Sequence, residues 1–324
     1  MSQPLDPASW NIETSTARLP ALTMGDELCH LAEKHSNIVV LTADLASSNG
    51  TAAFRERFPD RFINTGIAEQ NMMSIAAGLA ASGFIPYVST FASFASLLCA
   101  EQLRTDMSYT KLPVRILAHH AGISMGFYGT SHHAVEDIAI TRAMANMTVV
   151  SAADGNAIRG LMRATFDVPG PVYIRIGRGA EKPVYETVPA FAPGRFVTMR
   201  EGAAATIIAT GFGVKAAVDA AEILAVDGIE LRVLDAAYIK PLDTQAVLSA
   251  ARETGAILTV EEHNPHGGLG GAVAETLAEA GVGVRFRRHA LPDDYVLVAP
   301  PSHLYRHYGL TGDGVVLAVK ALIG

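Results

Sequence analysis

Cysteine is scarce in this chain, with two among 324 residues, Cys29 and Cys99. Each sits inside a helix-like apolar pattern, which reads as a small buried thiol and argues against a disulfide framework or a cysteine-ligated metal. A reducing cytoplasm is the expected compartment. Charge is also sparse, at 18% of residues, and no run of lysine or arginine occurs anywhere. With a net charge of −7 the chain has no basic field for nucleic acid, so nucleic-acid partners are excluded. No segment offers the roughly 20 uninterrupted apolar residues that span a bilayer, and Met1 to Leu19 lacks a basic stretch followed by an apolar one. The sequence therefore reads as soluble and unprocessed, with no membrane partner.

What is abundant is apolar and small. Hydrophobic residues make up 49% of the chain, and its many alanines and glycines let helices and strands approach closely. So apolar a surface implies a subunit interface. The length suits about two domains. Short β-branched runs, Ile38–Thr42, Pro86–Ser89, Pro113–Leu117, Thr148–Ser151 and Val172–Arg175, alternate with helical patterns, which predicts a mostly parallel sheet with crossover helices. Met72, Ile75, Ala76 and Leu79 form a helical stripe expected to pack on that sheet, and Gly83 ends it. From Lys182 to Phe196, Pro183, Pro189, Pro193 and Gly194 break any period, as a linker does. Ala205–Ala209, Glu230–Val233, Ala256–Val260 and Val284–Phe286 then resume the alternation. The expected fold is α/β with two domains, 1–188 and 189–324, each a mostly parallel sheet flanked by helices.

Candidate chemistry concentrates in the first half. Asn64-Thr-Gly-Ile-Ala-Glu-Gln-Asn71 places Glu69 in the first turn of a helix, where a carboxylate often does no more than complement the helix dipole. Phe91 and Phe94 follow in Ser89-Thr-Phe-Ala-Ser-Phe-Ala95, a spacing that equally suits core packing. His119-His120 and Gly129-Thr-Ser-His-His133 raise the thought of an imidazole metal site, but no carboxylate or cysteine spacing completes a ligand set.

Taken together, Gly66-Ile-Ala-Glu-Gln70, Thr90-Phe-Ala-Ser-Phe94 and the Gly129-Thr-Ser-His-His133 loop resemble the pyrimidine-binding domain of the transketolase family. The resemblance runs from about Arg18 to the end and implies a thiamine diphosphate cofactor. Glu69 is then the carboxyl that meets the aminopyrimidine, Phe94 the stacking ring with Phe91 beside it, Asp44 a neighbour of the thiazolium, and His132 an acid/base group at the reacting carbons. Arg18, Ser48, His120 and Arg178 correspond to a clamp for the phosphate of a sugar, a task to which the planar fork of arginine is suited. Tyr128 departs from the aspartate usual in transketolases, which points to unusual donors or acceptors such as a branched pentose phosphate, for example apulose 4-phosphate. His133 replaces the usual glutamine. Leu97 stands where deoxyxylulose-phosphate synthases carry an arginine.

The family holds its diphosphate through a divalent metal bound by Gly-Asp-Gly and a later asparagine. Gly312-Asp-Gly314 lies too near the C-terminus to serve, Asp154-Gly-Asn156 is no better, and the loop His266–Gly271 reads as the entry to a helix. This chain is expected to supply no metal ligand. The resemblance therefore implies the C-terminal subunit of a split, two-chain transketolase, with Mg2+ or Ca2+ bound mainly by an N-terminal, diphosphate-binding partner subunit. The expected assembly is an α2β2 heterotetramer with a self-dimer contact, acting on sugar phosphates. The alternatives are the β subunit of a 2-oxo-acid dehydrogenase, a deoxyxylulose-phosphate synthase-like enzyme, and a non-catalytic scaffold of the same fold.

Overall fold

A computed structural model describes residues 20–178 and 182–324. Helix α1 (Pro20–Lys34) leads into β1 (Ile38–Thr42), α2 (Ala52–Arg57), β2 (Phe62–Asn64), α3 (Glu69–Ala81) and β3 (Ile85–Phe91). A wide π turn, Phe94–Leu98, the short α4 (Ala100–Gln102) and a second π turn, Leu103–Ser108, precede β4 (Arg115–His119). Then come α5 (Asp137–Ala143), β5 (Thr148–Ser151), α6 (Gly155–Ala164) and β6 (Val172–Arg175). The second module holds β7 (Val197–Arg200), β8 (Ala205–Ala209), α7 (Gly213–Val226), β9 (Leu231–Asp235), β10 (Tyr238–Lys240), α8 (Thr244–Thr254), β11 (Ala256–Val260), α9 (Leu269–Glu279), β12 (Arg285–His289), α10 (Pro301–His307) and α11 (Gly312–Ile323).

The first sheet has seven strands in the order β10-β5-β6-β4-β3-β1-β2, parallel except for β10. The second has five, ordered β12-β11-β8-β9-β7, with only β7 antiparallel. Both are mostly parallel α/β sheets, as the alternation of runs predicts. One strand crosses between modules: β10, which lies beyond the expected boundary at residue 188, leaves the second sheet after β9 and pairs with β5.

Burial on both faces explains the unbroken β-branched runs. In β1, Ile38 and Val40 point into a core shared with α1 and α6, while Val39 and Leu41 point into the core under α3. The α3 stripe is rotated from the expected one. Met72, Met73, Ala76, Ala77 and Ala80 are buried, and Ile75 and Leu79 lie at the margin, because the small alanines allow the closest approach to the sheet.

The linker segment is tied down. Asp154 Oδ2 accepts the backbone N–H groups of Val184 (2.7 Å) and Tyr185 (2.8 Å), while its Oδ1 caps α6 through Ala157 N. Asp154 thus has a structural task. Gly312-Asp-Gly314 does too: it opens α11, and a Cβ at Gly314 would lie 2.1 Å from Gly309 O. No helix among the described residues is long and apolar enough to cross a membrane.

Candidate active site at the strand ends

The residues singled out in the first half gather at the carboxyl ends of β1, β3, β4 and β6. The chain order reverses between β1 and β3, and the crevice outside such a reversal is where open α/β sheets bind ligands.

Asn64, at the end of β2, organises the first wall. Its Oδ1 accepts from the backbone N–H groups of Asp44 (3.0 Å) and Gly66 (3.1 Å), and its Nδ2 donates to Asp44 Oδ1 (3.0 Å). This holds Asp44 in the left-handed region, at φ 60°, and joins the turn after β1 to the loop that delivers Glu69. Glu69 opens α3 and is 6% exposed, yet among the described residues no donor reaches its carboxylate. It stands close to Cys99, whose thiol is pushed up to about 12 by burial and by the Glu69 charge. A buried carboxylate left without a partner at a helix N-terminus fits an external ring nitrogen.

Phe91 ends β3 and is the hub of a ring cluster. Its centroid lies 5.4 Å from Phe94, 5.0 Å from His119, 4.8 Å from His120 and 5.4 Å from His132. His132 also lies 5.2 Å from Phe94 and 4.9 Å from the exposed Tyr128. Phe94 is the more open of the two phenylalanines. Nearby, the Arg178 guanidinium sits 5.1 Å from the Phe127 ring centroid, a cation–π geometry.

The imidazoles are neutral by environment. Burial brings His119 down to about 3, and burial first, then the His119 and Arg178 charges, hold His120 far below the ordinary range. Burial also lowers His132, whose Nδ1 lies 2.9 Å from Ser131 Oγ, so that a neutral ring can take up a proton. His133, in contrast, turns inward, 3% exposed with Nε2 at 3.2 Å from Gly126 O, and supports the Gly126–Tyr128 turn.

Phe91, Phe94, His120, His132 and Arg178 thus come together, with Glu69 at the head of α3 and Asp44 in the turn after β1. Ser48 is exposed on the loop after β1, and its hydroxyl donates to Leu45 O (3.1 Å). Arg18 lies outside the described residues. Among the described residues no three of His, Cys, Asp and Glu are grouped to hold a metal ion.

One further residue, and one contact, escaped the reading of the sequence. Glu262 Oε1 accepts from Ile123 N and from Tyr305 OH, both at 2.7 Å, beneath the loop between His120 and His132. The signal was Glu261-Glu262-His263, three polar residues directly after the buried strand β11. The contact is that of His119 with His120, whose adjacency was plain but whose ring contact was not.

Both modules match known domains. Residues 21–182 match the transketolase pyrimidine binding domain, and residues 194–315 match the transketolase C-terminal domain. The chain belongs to the transketolase family, as the part that carries these two domains in a transketolase divided between two chains. It is 40% identical to a protein of Methanocaldococcus jannaschii described as a transketolase C-terminal section, over 90% of this chain and 92% of that one. It is also 40% identical to one of the subunits of the apulose-4-phosphate transketolase of Phocaeicola vulgatus, over 90% of this chain and 93% of that one. A solved structure described as a split gene transketolase, inactive beta4 tetramer, superposes with a TM-score of 0.85 at 40% identity, covering 95% of this chain and 98% of its own.

Proposed function

We propose that this chain supplies the pyrimidine-side wall of a thiamine diphosphate site. With an N-terminal partner subunit it transfers a two-carbon ketol unit from a ketose phosphate to an aldose. The observation that carries this reading is the ring cluster of Phe91, Phe94, His120 and His132 together with the buried carboxylate of Glu69, which no donor reaches among the described residues.

The cofactor, when bound, would supply the nucleophilic carbon that this chemistry needs. The rest falls to side chains. Glu69 would hold the pyrimidine through a shared proton, Phe94 and Phe91 would offer it apolar ring surface, and Asp44 would complete the same wall. His132, neutral because it is partly buried, accepts the proton of the substrate hydroxyl whose carbon separates and returns one to the acceptor. Arg178 and His120, with Ser48 and Arg18, hold the sugar phosphate, and Tyr128 narrows the wall beside His132. Tyr128 and the likeness to part of an apulose-4-phosphate transketolase favour a branched pentose phosphate such as apulose 4-phosphate.

The partner brings the diphosphate domain and the divalent metal, Mg2+ or Ca2+, and the assembly is an α2β2 heterotetramer in the cytoplasm. The exposed Ile67, Leu97 and Leu98, which flank Glu69 in sequence or lie beside Gln70, support a covered face there. Leu97 offers no charge for the deoxyxylulose-phosphate synthase alternative.

The test is reconstitution with an N-terminal transketolase subunit from the same source, thiamine diphosphate and Mg2+. Consumption of a ketose phosphate in the presence of an aldose, with neither subunit active alone, is the expected result. Consumption of a 2-oxo acid instead, or cofactor binding without turnover of any ketose phosphate, refutes the assignment.

A further inference from the structure

His119 and His120 are consecutive, yet their rings meet. Successive side chains of a strand point to opposite faces, and the left-handed backbone of His120, at φ 59°, breaks that alternation. The result is a contact between His119 Nδ1 and His120 Nδ1 at 2.5 Å, with ring centroids 4.7 Å apart and Phe91 against both. Two nitrogens at that distance share one proton: two N–H groups would collide, and two bare lone pairs would repel.

The other edge of His119 decides who holds it. His119 is 0% exposed, and its Nε2 has no hydrogen-bond partner among the described residues. If His119 accepted at Nδ1, the proton on its neutral ring would sit on Nε2, as a buried donor with nothing to donate to. Orphaned buried N–H groups are rarer than under-satisfied acceptors, and a neutral imidazole carries one N–H only. The proton therefore belongs on His119 Nδ1.

We propose that His119 is a positioning residue that fixes the tautomer of its neighbour: His119 Nδ1–H donates to His120 Nδ1, which leaves the proton of His120 on Nε2. This rests on the proposed function in one respect, that His120 faces a sugar phosphate. His120 then meets the anion as a neutral donor beside the Arg178 charge, with no need to become an imidazolium in a site that disfavours one. The general solution is familiar from ligand histidines, where a hydrogen bond at one ring nitrogen sets the state of the other.

The full chain, labelled with 15N-histidine and measured alone and with its partner subunit, tests this through ring nitrogen shifts and one-bond N–H couplings. Expected is a protonated Nε2 and a bare Nδ1 for His120, with the reverse for His119. In His119→Leu the two His120 nitrogens should move toward averaged, exchanging shifts. In His119→Asn, whose amide N–H stands near the position of the Nδ1 proton, the His120 pattern should stay as in the wild type, which also serves if the leucine variant fails to fold. Protonation of His120 at Nδ1 in the wild type, or loss of the pattern in a folded His119→Asn chain, overturns the proposal. Titration with inorganic phosphate separates the two readings. A shift at His120 Nε2–H supports the phosphate role. The expected tautomers with no shift sustain the His119 assignment and refute the phosphate role of His120.

Discussion

Glu262, at the end of the second sheet, accepts a 2.7 Å hydrogen bond from the backbone N–H of Ile123, in the first module. The same oxygen accepts from Tyr305 OH at 2.7 Å, and a Cβ at Gly122 would lie 2.1 Å from the Glu262 carboxyl carbon. Two donors, one from each module, depend on one carboxylate that supports the loop between His120 and His132. Glu262→Ala removes the acceptor of both bonds, and with the loss of partner at the buried Ile123 N–H alone costing about 1–3 kcal/mol, urea denaturation should show a loss of about 3 kcal/mol. Glu262→Gln keeps an accepting oxygen and should lose about a third of that. Equal losses in the two variants would show that bulk, not hydrogen bonding, is what Glu262 contributes.

Asp137 and Arg175 make a buried ion pair at 2.9 Å, with side chains 0% and 3% exposed. Tyr173 OH donates to the same carboxylate oxygen, and Arg175 Nη2 reaches Ala134 O and Glu262 O. Breaking such a pair leaves an uncompensated charge in the core. Asp137→Ala should therefore destabilise by about 3–5 kcal/mol. Replacing both partners by apolar residues, as in Asp137→Leu with Arg175→Met, should recover a large part of the loss. A double-mutant cycle on the unfolding free energies checks this, and additive losses would show no coupling.

Much of this was legible in the chain, and the exceptions share a cause. Strands buried on both faces, such as Thr148–Ser151 and Ala256–Val260, announce themselves as β-branched runs with those boundaries. The strands that were missed, β2, β7 and β10, are three or four residues long and sit at sheet edges, with too few residues to show a period. Membership of β10 in the first sheet is a long-range pairing that no local pattern encodes. At the site, Phe91, Phe94, His120 and His132 were visible because each lies in a short motif. Glu262 was not, because it acts on a residue 139 positions away. The His119 contact depends on one left-handed backbone angle at a non-glycine residue, which composition cannot forecast.

Asp235 gives a pH dependence whose sign follows from burial. The carboxyl is pushed from 3.8 up to about 7 by burial, with the Asp154 charge adding and the 2.6 Å bond from Tyr185 OH opposing. Between about 4 and about 7 the folded chain keeps a proton that the unfolded chain has released, so this group makes stability fall as pH rises through that window and level off above it. At about 1.4 kcal/mol per unit the shift corresponds to roughly 4 kcal/mol above neutrality, and an unpaired amide in Asp235→Asn returns about half of it. The difference in unfolding free energy between Asp235→Asn and the wild type should therefore grow in favour of the variant from pH 5 to pH 8, reaching about 2 kcal/mol. A difference that is flat with pH would mean that Asp235 ionises at its ordinary value.

Glu69 separates stability from chemistry more cleanly than any other residue at the site. It is buried at the head of α3, yet among the described residues its carboxylate holds nothing in place. A residue kept for the fold would be bonded within it, and a carboxylate kept for a cofactor would wait. Glu69→Gln preserves shape and burial but cannot exchange a proton with a ring nitrogen. The thermal midpoint should stay within about 2 °C, since a volume-conserving change that breaks no internal hydrogen bond costs little. Turnover of the reconstituted two-subunit enzyme should fall by about 10²–10⁴, the usual contribution of a positioned proton-transfer group. The KM for the ketose phosphate should change little, because the proposed phosphate contacts, Arg178 and His120, are other residues than Glu69. Near wild-type turnover in a cofactor-loaded Glu69→Gln complex would remove Glu69 from the chemistry. A collapse in thermal stability with turnover per folded enzyme retained would reassign it to the fold.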